Sequence, residues 1–365
     1  MKKIAKIIRR ILLILLAALL LFTLVTFVIH RVKTSKELEL LKEKGYYNPI
    51  SVGDYSLNVA KFGNENGAHT IVSLAGLGMG DYSITEREMT SALENDNMVV
   101  FIDRAGYGLS DDTDNEMTLE YIVEDYRSAL KNAGIDAPYI LMPHSIGGAY
   151  ANYWVSKYPG EIEAVVFLDG TQLSDAVFDE NSNGSVGFKD NLISFFAKLG
   201  YGRYMLRDNY WLLPDNYSEE EQKLADALQL RTENSIALAS EGYLRNRNLQ
   251  DAWSAIVTND IPKLYICSSW GIQTKKEMTE YLEWFGRLKE KNNFEITSFT
   301  DISDEKFQEQ IDEFEKSRQD IIYPYAEKMG NCEVVLLPGD HAIYEQKPEE
   351  CGKIVKEFIG GIRIE

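Results

Sequence analysis

Hydrophobic residues fall along this chain in two ways. From Ile11 to Ile29 every position is apolar except Thr23 and Thr26, which predicts a helix of about 28 Å, enough to cross the hydrocarbon core of a bilayer. Further on, short apolar runs stop abruptly at Gly-containing or polar turns. They are His69-Thr-Ile-Val-Ser-Leu-Ala-Gly-Leu-Gly78, Met98-Val-Val-Phe-Ile-Asp103, Ile140 to Met142, Ala164-Val-Val-Phe-Leu-Asp169, Lys263 to Ser269 and Cys332 to Pro338. Helical stretches such as Ile146 to Lys157 alternate with them, which predicts an α/β fold with a mostly parallel sheet.

Two long segments interrupt that alternation. Residues 171–259 begin polar at Asp179 to Gly187, then become helical and aromatic through Phe195 to Met205 and Tyr210-Trp211-Leu-Leu. Aromatic residues at helical spacing are read as packing. Residues 271–331 predict two charged helices, Glu277 to Lys291 and Asp304 to Lys328, around Asn293 to Thr300. Solvated helix faces account for those charges; an accessory lid or a partner surface is the alternative.

Charge divides the chain. Residues 1–36 hold eight of the 38 Lys and Arg and none of the 57 Asp and Glu, leaving 30 basic against 57 acidic residues, or −27, on the remainder. Lys2, Lys3, Lys6, Arg9 and Arg10 precede the apolar run, so residues 1–10 are expected in the cytoplasm, 11–29 as a single membrane anchor and 30–48 as a stalk, helical through Lys33 to Tyr46. Phe27 to Lys33 offers no small-residue cleavage site, which favours an uncleaved anchor over a signal peptide. The remainder is expected on the extracytoplasmic side of the cell membrane. Its acidic surface repels nucleic acid and anionic headgroups. Cys267, Cys332 and Cys351 are odd in number and two of them lie in or beside predicted core strands, so they read as small buried hydrophobes and not as a disulfide framework. No Cys/His cluster has metal-ligand spacing, and no cofactor is expected.

The chemistry-bearing residues stand at the ends of the predicted strands. Ser145 sits between the strand Ile140 to Met142 and the helix it feeds, with Gly147 and Gly148 beside it, so the serine is exposed at a sharp turn. A serine hydroxyl needs an adjacent base. The chain has four histidines: His30 flanks the anchor, His69 begins a strand and His144 lies in the turn, which leaves His341, in Pro338-Gly-Asp-His-Ala342 after the last strand. His144 is expected to pack or hydrogen-bond beside the turn. Gly106-Tyr107-Gly108 lacks phosphate-loop spacing and is read as a structural turn.

Over roughly residues 50 to 360 the chain resembles the α/β-hydrolase family. Its Gly-x-Ser-x-Gly elbow stands here as Pro143-His144-Ser145-Ile146-Gly147, with proline for the first glycine. Its His-Gly loop is Ala75-Gly76-Leu77-Gly78, with alanine for histidine, and its Asp-x-x-Gly-x-Gly-x-Ser turn is complete from Asp103 to Ser110. The resemblance implies an eight-stranded core over 49–170 and 260–365, with a helical lid over 171–259. It gives Ser145 the role of nucleophile and His341 that of base, and it implies an oxyanion hole from the N–H groups of Leu77 and Ile146. The family usually places its acid after the seventh strand, where Trp270 to Lys276 contains none and Glu277 is late. The alternative family position, the end of the sixth strand, gives Asp169. The function so implied is a membrane-anchored serine hydrolase acting on a small acyl substrate, an ester by default. Aminopeptidase or amidase activity with the same residues, and a non-catalytic tethered binding protein, are the alternatives.

Overall fold

The computed structural model describes residues 2–175, 184–205, 217–270, 274–277 and 303–362. The predicted segments Tyr210 to Leu213 and Asn293 to Thr300, and all but the first residue of the helix Glu277 to Lys291, lie outside them, as does most of Asp179 to Gly187.

Helix α1 (Lys2–Glu43) runs through the apolar stretch and the segment after it without a break, because no Gly or Pro interrupts it until Gly45, which turns the chain with φ 82°. It is the one helix among the described residues long and apolar enough to cross a membrane, and its apolar residues from Ile4 to Val32 lie largely exposed.

The core is an eight-stranded sheet of β1 (Pro49–Ser51), β2 (Ser56–Gly63), β3 (Thr70–Leu74), β4 (Met98–Ile102), β5 (Tyr139–Pro143), β6 (Ile162–Leu168), β7 (Lys263–Trp270) and β8 (Cys332–Gly339). Their order is β1-β2-β4-β3-β5-β6-β7-β8. From β4 to β8 every pairing is parallel, while β2 runs antiparallel to both β1 and β4. Strands β4 and β5 are buried at every position, which is why they read as continuous apolar runs.

Helices cover both faces. Among those packed on one face are α2 (Leu119–Asn132), α3 (Gly147–Lys157) and part of α8 (Asp304–Met329), which encloses Val72, Val100, Leu141, Val165 and Tyr265. The other face, around Ile71, Val99, Ile140 and Val166, is closed in part by α9 (Pro348–Gly360) and Leu41 of α1. Each such fully buried aliphatic side chain contributes about 1.5–3 kcal/mol. Between β6 and β7 lie α4 (Phe188–Lys198), α5 (Gly202–Met205), α6 (Glu219–Thr232) and α7 (Ile236–Ala255). Cys267 and Cys351 are buried, Cys332 is partly so, and all three are free thiols.

Candidate active site

The parallel strands all end on one side of the sheet, and that is where the predicted residues gather. Ser145 follows β5 with φ 52°, Asp169 follows β6 with φ 42°, and His341 follows β8. A left-handed backbone at a non-glycine residue costs about 1–3 kcal/mol and persists only where the surroundings dictate it. Around Ser145 they do: the His144 N–H donates to the Leu74 carbonyl at 2.9 Å, and the Ser145 carbonyl accepts from Thr171 N–H at 2.7 Å. Gly147 brings the first turn of α3 against β3. A Cβ there would stand 2.6 Å from the Leu74 carbonyl oxygen, so the elbow closes only with glycine at that position.

His341 Nε2 lies 2.8 Å from Ser145 Oγ, and Nδ1 lies 2.7 Å from Asp169 Oδ2. A carboxylate only accepts, so Nδ1 carries the hydrogen and Nε2 accepts the serine hydroxyl. Asp169 Oδ1 accepts from Ser268 N–H at 2.9 Å and from Arg318 Nη2 at 2.7 Å. Arg318, on α8, also donates through Nε to the Ser268 carbonyl at 3.2 Å. The charges of Asp304 to Lys328 are therefore not all a solvated face, since Arg318 turns inward onto the buried Asp169.

His144 clamps the other side. Its Nε2 lies 2.9 Å from the His341 carbonyl oxygen and donates to it, and its ring lies between Tyr82, stacked at 5.9 Å, and Tyr344, edge-on at 5.0 Å. Burial pushes the imidazole down to about 3, with the neighbouring His341 a smaller cause, so His144 is a neutral donor at working pH.

The Ala75-Gly76-Leu77-Gly78 loop packs on the elbow. A Cβ on Gly76 would come within 2.9 Å of His144 Nδ1 and 3.1 Å of Ser145 Cβ. Arg104, fully buried, holds this loop from behind, donating to the Ala75 carbonyl at 2.6 Å and the Gly76 carbonyl at 2.7 Å. In a trans peptide the C=O and N–H point in opposite directions, so fixing the Gly76 carbonyl toward Arg104 aims Leu77 N–H away from it. Among the described residues neither Leu77 N–H nor Ile146 N–H has a protein acceptor. Arg104 in turn pairs with Glu241 of α7 at 3.2 Å, and Glu241 accepts from the Tyr107 and Tyr150 hydroxyls. Tyr107 also accepts from Gly78 N–H at 2.9 Å, so the turn read as structural supports the loop.

The remaining histidines are elsewhere. His69 Nδ1 lies 3.0 Å from both Glu163 carboxylate oxygens at the opposite end of the sheet, beside a groove of about 1010 Å³ lined by Asp136, Glu333 and Glu357. His30 accepts from Arg203 at 3.0 Å. Among the described residues no group of three or more His, Cys, Asp or Glu is placed to hold a metal. Sequence reasoning did not find Arg318, Arg104 or Glu241. Separations of 149 and 137 residues from the groups they pair with leave no local signal.

Residues 70–291, more than half of the chain, match the family described as alpha/beta hydrolase fold. The chain belongs to this family. Among sequence relatives, it is 35% identical over 169 residues to the uncharacterized protein YbdG of Bacillus subtilis (strain 168), covering 46% of this chain and 51% of that protein. The chain spans about half or less of the curated relatives it matches. Among solved structures, the α/β-hydrolase-fold enol-lactonase from Burkholderia xenovorans superposes with a TM-score of 0.52 at 16% identity, over 86% of this chain and 100% of that one. An epoxide hydrolase, CorEH, gives 0.57 at 16% identity over 87% and 99%. At such identities the likeness carries the fold.

Proposed function

We propose that this α/β-hydrolase-fold protein is a serine hydrolase that cleaves ester or related acyl bonds, anchored by α1 in the cell membrane with its core on the extracytoplasmic side. The observation that carries the reading is the continuous hydrogen-bond path from Asp169 through both nitrogens of His341 to Ser145 Oγ, at 2.7 and 2.8 Å. Similar in fold to a lactonase, a dehalogenase and an epoxide hydrolase, the chain carries a serine at the elbow. Dehalogenase and epoxide hydrolase chemistry needs a carboxylate nucleophile.

The mechanism follows from that path. Ser145 Oγ attacks the acyl carbon as its proton passes to His341 Nε2, and the carbonyl electron pair moves onto oxygen. Leu77 N–H and Ile146 N–H hold the oxyanion; one such donor is worth about 3 kcal/mol. Collapse of the intermediate expels the alcohol, which takes the proton from Nε2. Water, deprotonated by the same nitrogen, then releases the acid and restores Ser145. Asp169 keeps the hydrogen on Nδ1 and stabilises the imidazolium, and Arg318 and Ser268 N–H hold Asp169 in place. The helices of residues 171–259 act as the lid. An amide or peptide would be cleaved by the same steps.

The test is fluorophosphonate labelling of the full chain in detergent beside Ser145→Ala, followed by turnover of p-nitrophenyl esters. Labelling of the parent and none of the variant is the expected result. An unlabelled, well-folded parent would leave a tethered binding protein as the better reading.

A further inference from the structure

Helix α4 faces the wrong way for a helix packed on a protein. Phe188, Leu192, Phe195 and Phe196 lie on one stripe by helical spacing, and all four are exposed, Phe188 by 83% and Phe195 by 55%. The buried residue of α4 is Ser194. The aromatic residues read from the sequence as packing thus form an outward apolar face, continued by Tyr204, 52% exposed.

The same region is fastened to α1. The Tyr201 hydroxyl is 2.6 Å from Thr23 Oγ1 and that of Tyr204 3.2 Å from Thr26 Oγ1, while Phe22 stacks on Tyr204 at 5.9 Å and meets Tyr201 edge-on at 6.0 Å. Arg203 pairs with Glu37 through two hydrogen bonds of 2.7 and 2.8 Å, and it donates to Thr34 at 2.9 Å and His30 at 3.0 Å. Phe22 and Thr26 lie seven and three residues before the end of the apolar run at Ile29, or about 10 and 5 Å along the helix axis. His30, Thr34 and Glu37 lie beyond that end. The contacts therefore straddle the apolar-to-polar boundary of α1, with two tyrosines on the apolar side and an arginine on the polar side.

We infer that the α4 face with Tyr201 and Tyr204 is a lipid-docking surface, seated in the headgroup and upper acyl region of the bilayer that α1 spans, and that the site draws an acyl lipid from that bilayer. The depths match those at which interfacial amphipathic helices sit, about 5–10 Å, and tyrosines belong at this level. A core of net charge −27 leaves apolar burial to drive the docking, so zwitterionic lipid suffices. The inference rests on the reading of α1 as a membrane span and, for its substrate, on the serine-hydrolase reading.

The full chain reconstituted into phosphatidylcholine liposomes tests it. A tryptophan placed by Phe195→Trp should be quenched by lipids brominated near the headgroup end of the acyl chain, beyond the quenching of the parent, whereas Lys353→Trp on α9 should not. Protein that floats with the liposomes without added quenching at 195 overturns the docking and leaves the anchor intact. Protein that does not float overturns both. A shielded but unquenched tryptophan in a dimer gives the face to a second copy and overturns the proposal. For the substrate, Leu192→Glu with Phe195→Glu should lower turnover of a long-chain ester held in the liposomes at least tenfold while turnover of soluble p-nitrophenyl acetate is kept. Equal turnover of the liposomal ester by variant and parent overturns delivery from the bilayer. Absence of soluble ester turnover in the parent defeats the hydrolase reading while leaving the quenching result standing.

Discussion

Arg318 Nη2 lies 2.7 Å from Asp169 Oδ1, on the carboxylate whose other oxygen accepts His341 Nδ1–H at 2.7 Å. One aspartate thus serves a fixed cation and the His341 ring together. The cation draws negative charge away from the oxygen that faces the imidazole, while its bonds to Ser268 fix the carboxylate's direction. Asp169 is buried and α8 supplies the arginine, so a helix apart from the strand ends contributes to the site's electrostatics.

Arg318→Met should retain the fold and lower kcat/KM. A charge-assisted hydrogen bond is worth about 1.5–3 kcal/mol, so the fall is expected to be roughly 10- to 100-fold. The loss comes from a carboxylate no longer held in register with His341 Nδ1, and steady-state ester kinetics beside a matched melting curve check it. A variant with unchanged kcat/KM would make Arg318 merely a packing residue.

Asp169→Asn should fold and lose on the order of 10³–10⁴-fold in kcat, because its amide can donate to Nδ1 and impose the wrong tautomer. Steady-state ester turnover with a matched melting curve checks this. Undiminished turnover would remove Asp169 from the mechanism.

Glu241→Gln leaves the Arg104 guanidinium buried without its counter-charge. Breaking such a pair costs about 3–5 kcal/mol, readable by denaturant unfolding, and adding Arg104→Met should restore part of the loss because the stranded charge is then gone. The loop carrying Leu77 also loosens, so kcat should fall more than KM rises.

Glu86 is fully buried against β3, accepting the Ser73 hydroxyl. Burial raises its carboxyl from 4.5 to about 8. Between those values the folded state binds the extra proton, so this contribution to stability is full below about pH 4.5 and is lost as pH rises toward 8, at up to about 1.4 kcal/mol per unit. Glu86→Gln removes that dependence. Its melting temperature relative to the parent should climb from pH 5 to pH 8, and a constant difference would contradict the burial argument.

Much of the molecule was legible in local pattern. Apolar runs ending at Asp103, Pro143 and Asp169 marked β4, β5 and β6 because buried parallel strands are apolar on both faces, and the run ending at Pro338 marked β8, an edge strand with Leu337 and Gly339 buried. Nineteen residues from Ile11 to Ile29 marked a helix that only a bilayer or another protein would cover. With four histidines to choose from, His341 followed from its place after the last strand. These features depend on composition and near neighbours, so the sequence alone determined the α/β fold class and the residues at its strand ends.

What the tertiary structure decided depends on distance in sequence. Crossover order sets β5, β6 and β8 side by side or nearly so, and only then do Ser145, Asp169 and His341 share hydrogen bonds across 196 and 172 residues. Arg318 and Arg104 turn inward because buried carboxylates and carbonyls attract them more strongly than water does, a competition that a charged helix pattern does not reveal. The direction of the α4 stripe was equally unreadable. Helical spacing defines an apolar face, whereas which way that face points is set by the contacts of Tyr201, Arg203 and Tyr204 with α1.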